Sequence, residues 1–163
     1  MKKSLQTRIA QTMAILLLTS FTLSGCKKDK TDEPISLIKK VTIQLSGAQE
    51  VPAVSTSGTG TAEISYDPAV KMITYKLTWQ LGSASATTTN MHFHGSPTGS
   101  DTVSSGVAIA ITGFSTGNSG TLNGMTIALT DVQEAQLLAG KWYVNIHSST
   151  YGSGELRGNI KFQ

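Results

Sequence analysis

Beyond residue 40 the chain alternates apolar and polar positions with a period of two. Val41, Ile43 and Leu45 are separated by polar neighbours, and Ile73, Tyr75, Leu77 and Trp79 alternate with Thr74, Lys76, Thr78 and Gln80. In an extended strand successive side chains point to opposite faces, so each run predicts a strand with one face buried and one wet. The last run places Leu156, Ile160 and Phe162 on one face and Glu155, Arg157, Asn159 and Lys161 on the other. Breaks rich in glycine, serine and threonine at 55–60, 82–89, 96–100 and 113–120 separate the runs. Seven or eight short strands with this punctuation predict an antiparallel β-sandwich or barrel. One segment departs from the period. Thr130 and Asp131 open it, Gln133 or Glu134 follows three residues on, and Gly140 closes it, which predicts one short capped helix. Val132, Ala135, Gln136 and Ala139 share a helical face, with Leu138 beside it, and that face is expected to cover one end of the sheet structure.

Before residue 41 the pattern changes. Lys2, Lys3 and Arg8 come with no acid, an apolar run follows from Met13 to Leu23, and small residues lead to Cys26, the only cysteine. A membrane-crossing helix needs about 20 apolar residues, and this run has roughly half that number. The charge order, the apolar length and the Leu23-Ser24-Gly25-Cys26 ending resemble a lipoprotein signal peptide. That resemblance implies removal of residues 1–25, a diacylglyceryl group on the Cys26 thiol, and residues 26–40 as a polar, flexible tether. Two acyl chains suffice for stable anchoring, because each buried methylene contributes about 0.8 kcal/mol. Lys27 after the cysteine resembles lipoproteins sent to the outer membrane of Gram-negative cells. Asp29, Asp32 and Glu33 resemble some surface-export signals, which leaves the periplasmic face and the cell surface both open.

The leader also changes how the charge is read. Of thirteen basic residues three lie in the leader, so ten remain against ten acidic ones and the mature chain is neutral. From Val41 onward Lys71, Lys76, Lys141, Arg157 and Lys161 are scattered among seven acids. Nucleic acid is therefore an unsuitable partner. The roughly 120 residues after the tether fit one domain with one core. With one cysteine no disulfide framework exists, so the fold relies on packing.

Four segments occur in order across this domain. They are LSGAQEVP from Leu45 to Pro52, MHFHG from Met91 to Gly95, LAGKWYVNIH from Leu138 to His147, and GELRG from Gly154 to Gly158. Together they resemble the CHRD (chordin-type) domain over residues 41–163. The resemblance implies an immunoglobulin-like antiparallel β-sandwich of Greek-key type and an exported setting. It supplies no ligand, and the repeats and cysteine-rich modules that serve growth-factor binding in chordins have no counterpart here.

All three histidines, His92, His94 and His147, fall inside these segments. His92 and His94 project from one face of their strand, opposite Met91 and Phe93. Tyr143, Asn145 and His147 share a face opposite Trp142, Val144 and Ile146. Packing of Phe93 and of the Trp142 face into the core displays all three imidazoles outward, and adjacent strands would bring them together. Such a cluster suits zinc or copper, since neutral imidazole nitrogens bind these ions at about 2.0–2.1 Å. The competing reading is structural: the histidines satisfy strand-end hydrogen bonds with Asn145 or Glu155. Glu155 and Arg157, two residues apart, are expected as a same-face structural ion pair, worth about 0–1 kcal/mol if exposed. Tyr143 and Tyr151 are candidate outward aromatics for adhesion to sugar or protein. No residues assemble a catalytic site: Ser148 points away from the neighbouring His147, and no free cysteine remains. The chain is accordingly expected to be no enzyme, but an extracytoplasmic, membrane-anchored binding or structural module, with metal binding as the alternative.

Overall fold

The computed structural model describes residues 37–99 and 101–163. The leader, Cys26 and most of the expected tether lie outside the described residues. Lys39 and Lys40, assigned by sequence to the tether, already belong to the first strand. Eight strands follow: β1 (Lys39–Ser46), β2 (Thr59–Asp67), β3 (Met72–Gln80), β4 (Thr88–Gly95), β5 (Val107–Ile111), β6 (Ser119–Met125), β7 (Trp142–Ser148) and β8 (Leu156–Ile160). One helix, α1 (Asp131–Leu138), precedes β7.

The strands are antiparallel in every recorded pairing, and the structure is all-β apart from α1 and short turns. Their hydrogen-bonded order is β5-β4-β7-β8-β1-β2-β3-β6, a single eight-stranded sheet where sequence reasoning expects two separate sheets. β8 pairs with β1 in the ladder at Ser46 and Arg157, so the sheet is joined there by one residue pair. About this narrow junction it curls, and strands far apart in the ladder order touch through their side chains. Tyr75 of β3 meets Phe93 of β4 edge to face at 5.3 Å between ring centres. Trp79 Nε1–H donates to Thr88 Oγ1 at 2.8 Å, also from β3 to β4. The result packs like a sandwich while its ladders form one sheet.

The alternation read from the sequence sets this core. Ile73, Tyr75, Leu77 and Trp79 are buried against Phe93, Met91, Val144 and Ile146, while Thr74, Lys76, Thr78 and Gln80 are exposed. On the edge strand β6, Gly120 and Gly124 lie opposite Trp79 and Tyr75. A Cβ at either position would fall 2.4–2.6 Å from those aromatic rings, so only glycine lets the rings lie across the strand.

The helix forms where its capping residues predict it. Thr130 Oγ1 accepts from the Gln133 backbone N–H, the Gln133 side chain accepts from the Thr130 N–H, and Gly140 takes φ 71° past the end. The buried face is different from the expected one. Leu137 is fully buried, whereas Val132 is 67% exposed and Leu138 43%. Polar anchors fix this rotation: Tyr66 Oη–H donates to Glu134 Oε1 at 2.6 Å, and Lys71 Nζ reaches Asp131 and Glu134 at 2.6 and 2.9 Å. A two-turn helix has few apolar contacts to set its orientation, so these bonds decide it.

β7 and β8 depart most from the alternation. Tyr143, Asn145, Glu155 and Arg157 were expected to face solvent, yet each is at most 3% exposed. Chain segments cover that outer face. Arg157 Nη2–H donates to the Val103 carbonyl at 3.0 Å, the Ser105 N–H donates to Tyr143 Oη at 3.0 Å, and Ser104 Oγ–H donates to the Val51 carbonyl at 2.6 Å. The connection between β4 and β5 is thereby pinned over the sheet, and a second, polar layer is buried outside the apolar core.

Candidate functional site: a histidine cluster on a buried polar layer

β4 and β7 are neighbours in the sheet, with His92 opposite Asn145, His94 opposite Tyr143, and Asn90 opposite His147. This register brings the three imidazoles to one place. One ring nitrogen from each of His92, His94 and His147 lies within 4.8 Å of the others. The ring centres of His92 and His147 are 4.9 Å apart and those of His92 and His94 5.5 Å. The outward projection expected from the alternation holds for His92 and His147, which are half-buried, while His94 is buried.

Two backbone carbonyls orient the rings. His94 Nδ1 faces the Ser105 carbonyl at 2.8 Å, and His147 Nδ1–H donates to the Gly152 carbonyl at 2.8 Å. A carbonyl can only accept, so neutral His147 carries its proton on Nδ1 and keeps a lone pair on Nε2. His147 Nε2 receives His92 Nδ1–H at 3.1 Å. His94 Nε2 faces a second acceptor, Asn145 Oδ1, at 3.0 Å, so the neutral ring donates to either Ser105 or Asn145, and a lone pair on Nε2 requires the proton on Nδ1. Burial holds the pKa of His92 below the ordinary imidazole value, and the charges that His147 and His94 would carry lower it further. Burial also lowers His94, outweighing the opposing hydrogen bonds from Ser105 and Asn145. Both rings are thus biased to the neutral form that a metal ion requires.

This donor set suits a transition metal. Two imidazole nitrogens bound at about 2.05 Å to a tetrahedral ion stand roughly 3.3 Å apart, close to the spacing of His92 Nδ1 and His147 Nε2. Ring nitrogens anchored on backbone carbonyls through their opposite N–H are also how metal-binding histidines are commonly oriented. His94 needs a further step, since its Nε2 must give up Asn145 to reach an ion.

Behind the histidines lies the polar layer. The rings of His94 and Tyr143 stack at 4.5 Å, 4° from parallel, and the Arg157 guanidinium carbon lies 3.5 Å from the centre of the Tyr143 ring. Glu50, next to this group, is driven up to a pKa of about 7 by burial, against the lowering influence of Arg157 and the Asn145 amide. Four of the five buried side-chain atoms without a hydrogen-bond partner among the described residues belong here: Glu50 Oε1, Ser105 Oγ, Glu155 Oε2 and Arg157 Nη1. Incomplete solvation of this kind is what makes ionisation of Glu50 costly. Gly154, at φ 133°, is required by closeness: a Cβ there would fall 2.3 Å from Glu50 Oε1 and 2.8 Å from Asn145 Nδ2.

The expected Glu155–Arg157 ion pair does not form. Glu155 Oε1 accepts instead from Thr56 Oγ1–H and the Gly82 N–H, both at 2.7 Å, while Arg157 turns to Val103, Asn159 and the Tyr143 ring. Burial decides this, because each group takes the partners that its covering segment supplies, and Glu50 and Asp101 are the carboxyl groups whose charges bear on Arg157. Of the two proposed histidine partners Asn145 is realised and Glu155 is not. Of the candidate adhesive aromatics Tyr143 is buried, while Tyr151 is half-buried and its Oη–H donates to the Ser55 carbonyl at 2.5 Å. Sequence reasoning named Asn145 as a histidine partner but missed Glu50 and Tyr143 as members of the same site. The signal was present, since each lies in one of the four recurring segments, but period-two reading assigned the β7 and β8 members to solvent.

These features define a small antiparallel β module with a histidine cluster set on a buried charged layer. The chain belongs to the CHRD domain family, whose family model matches residues 41–160. The four segments resembling that family converge in space, with Glu50 from the first, His92 and His94 from the second, Tyr143, Asn145 and His147 from the third, and Glu155 and Arg157 from the last. CHRD domains are not a known enzyme family. No curated protein and no solved structure matches the chain.

Proposed function

We propose that this chain is a cell-envelope lipoprotein that displays its CHRD domain as a non-enzymatic binding module, and that the ligand is a zinc or copper ion held by His92, His94 and His147. The metal reading is carried by one observation: three imidazole nitrogens lie within 4.8 Å of one another while backbone carbonyls hold two of the rings at Nδ1. On binding, the His92 proton moves from Nδ1 to Nε2, and the ion takes its place between His92 and His147. His94 completes a three-imidazole set that leaves one coordination position open. The lipoprotein part is supported by the charge order, apolar length and Cys26 position of the leader. Anchorage is through the lipid on Cys26, with the domain outside the cytoplasm at the outer membrane.

Titration calorimetry of the purified protein with zinc and copper salts tests the ligand. Stoichiometric uptake that is lost in both His92→Ala and His147→Ala supports it, and the absence of uptake of either ion refutes it. For the anchor, Cys26→Ser is expected to move the protein out of the membrane fraction, and unchanged retention with no acyl mass on the protein would refute lipidation.

A further inference from the structure

The described residues include eight large apolar side chains exposed to solvent, and six of them gather at one end of the molecule: Leu37, Ile38, Val70, Met125, Ile127 and Val132. The topology places them together. Leu37 and Ile38 run into β1, whose first residue Lys39 pairs with Tyr66, one residue before the turn from Asp67 to Lys71 that carries Val70. Met125 closes β6 opposite Thr74, and the chain then follows β3 to the same turn, with the Thr126 N–H donating to the Ile73 carbonyl and the Leu129 N–H to the Lys71 carbonyl. Ile127, 74% exposed, lies between those two bonds. Val132 opens the helix whose first residue, Asp131, holds Lys71.

We propose that this apolar end docks on a phospholipid surface, with Ile127, Met125 and Val70 entering the headgroup boundary and the Lys39 and Lys40 ammonium groups at the lipid phosphates. The inference rests on the lipoprotein reading in one respect, the choice of occupant. The chain enters the domain at this same end, eleven residues after Cys26. A fully extended segment of that length spans about 35–40 Å, so an acylated Cys26 keeps this end within reach of the bilayer. Isolated exposed apolar residues need no explanation, but a contiguous group at the point of tethering does. Side chains of this kind enter roughly 5–10 Å into the interface without crossing the membrane. His147 is placed away from this contact: β7 ends beside Thr88, which bonds Trp79 at the far end of β3 from Met72.

The test uses the full chain on vesicles of phosphatidylethanolamine and phosphatidylglycerol, with an environment-sensitive fluorophore at Ile127→Cys and, in a separate protein, at Val107→Cys. Val107 is exposed and apolar but lies on β5. The label at 127 is expected to shift to the blue and to be quenched by nitroxide-bearing lipids, and the label at 107 to remain aqueous. Val70→Ser and Met125→Ser together are expected to abolish the shift at 127. Because the labels report contact however the chain is held to the vesicle, by acylated Cys26 or by its leader, the outcome is separate from the lipidation test. A vesicle-bound protein whose label at 127 stays in water overturns the proposal. So does a shift that needs no lipid and grows with protein concentration, which would assign the surface to a second copy of the chain.

Discussion

The ring of His94 lies flat on the ring of Tyr143, 4.5 Å between centres and 4° from parallel, and both are tied to the backbone of Ser105. His94 Nδ1 faces the Ser105 carbonyl, and Tyr143 accepts from the Ser105 N–H, so one residue of the covering segment fixes both rings. Through the stacked Tyr143 and Arg157, the histidine cluster is mechanically continuous with the buried charged layer. The consequences are testable residue by residue.

Asn145 competes with any ion for His94 Nε2. Asn145→Ala is expected to lower the stability of the metal-free protein by about 1–3 kcal/mol, the cost of leaving buried polar partners unsatisfied. The same change is expected to tighten zinc or copper binding, whereas His92→Ala and His147→Ala abolish it. Denaturant unfolding and calorimetry on the same samples check both signs, and weaker metal binding in Asn145→Ala would contradict the competition.

Glu50 gives the protein a characteristic pH dependence. Its carboxyl group rises from 4.5 to about 7 on folding, so between those values the folded chain holds more protons than the unfolded one. Stability then falls as pH rises through that window, and the protonated form contributes fully only below the unfolded value. At one pKa unit per 1.36 kcal/mol, the loss reaches at most ~3 kcal/mol. Glu50→Gln, which keeps the neutral shape, is expected to remove this slope and to be the more stable form at pH 8. Urea unfolding from pH 4 to pH 8 measures it, and an unchanged slope in the variant would show that Glu50 ionises freely.

Arg157 is fully buried, and its removal strips Glu50 of the cation that lowers its pKa. Arg157→Met is expected to cost about 3–5 kcal/mol, the usual consequence of breaking a buried charge arrangement on one side. Arg157→Lys is expected to rescue little, because an ammonium cannot lie flat on Tyr143 and donate to Val103 as the guanidinium does. Thermal melts with near-ultraviolet circular dichroism, which reports the Tyr143 environment, distinguish this from a simple surface effect.

The helix offers a direct comparison of the two possible faces. Leu137→Ala is expected to destabilise by about 2–5 kcal/mol and Val132→Ala by no more than ~0.5 kcal/mol. Thr130→Ala, which deletes the cap, is expected to cost about 1 kcal/mol. Equal effects at 132 and 137 would mean that the helix packs on the face its apolar pattern suggests.

Much of this architecture was legible in the sequence, because strand alternation and helix capping are local physics. The period of two marks the core positions of β1 and β3, Thr130, Gln133 and Gly140 mark the helix ends, and the four ordered segments mark the family. The three histidines were legible as a candidate group, since a spacing of two puts His92 and His94 on one face. Their meeting with His147 was conditional on β4 and β7 being neighbours, a long-range pairing that no local pattern encodes.

Only the tertiary structure decided the rest. Alternation assumes that one sheet face is wet, and it fails for Tyr143 and Arg157 because Val103 and Ser105 lie over them, and for Glu155 because Thr56 and Gly82 do. Whether a distant segment covers a face depends on chain path, as does the choice of Thr56 and Gly82, rather than Arg157, as partners for Glu155. The sequence by itself determined which residues form strands, which form the helix and where the histidines project. The curled sheet and its covering segment determined what surrounds them, because burial, and with it the cost of every charge in the site, is a property of the whole fold.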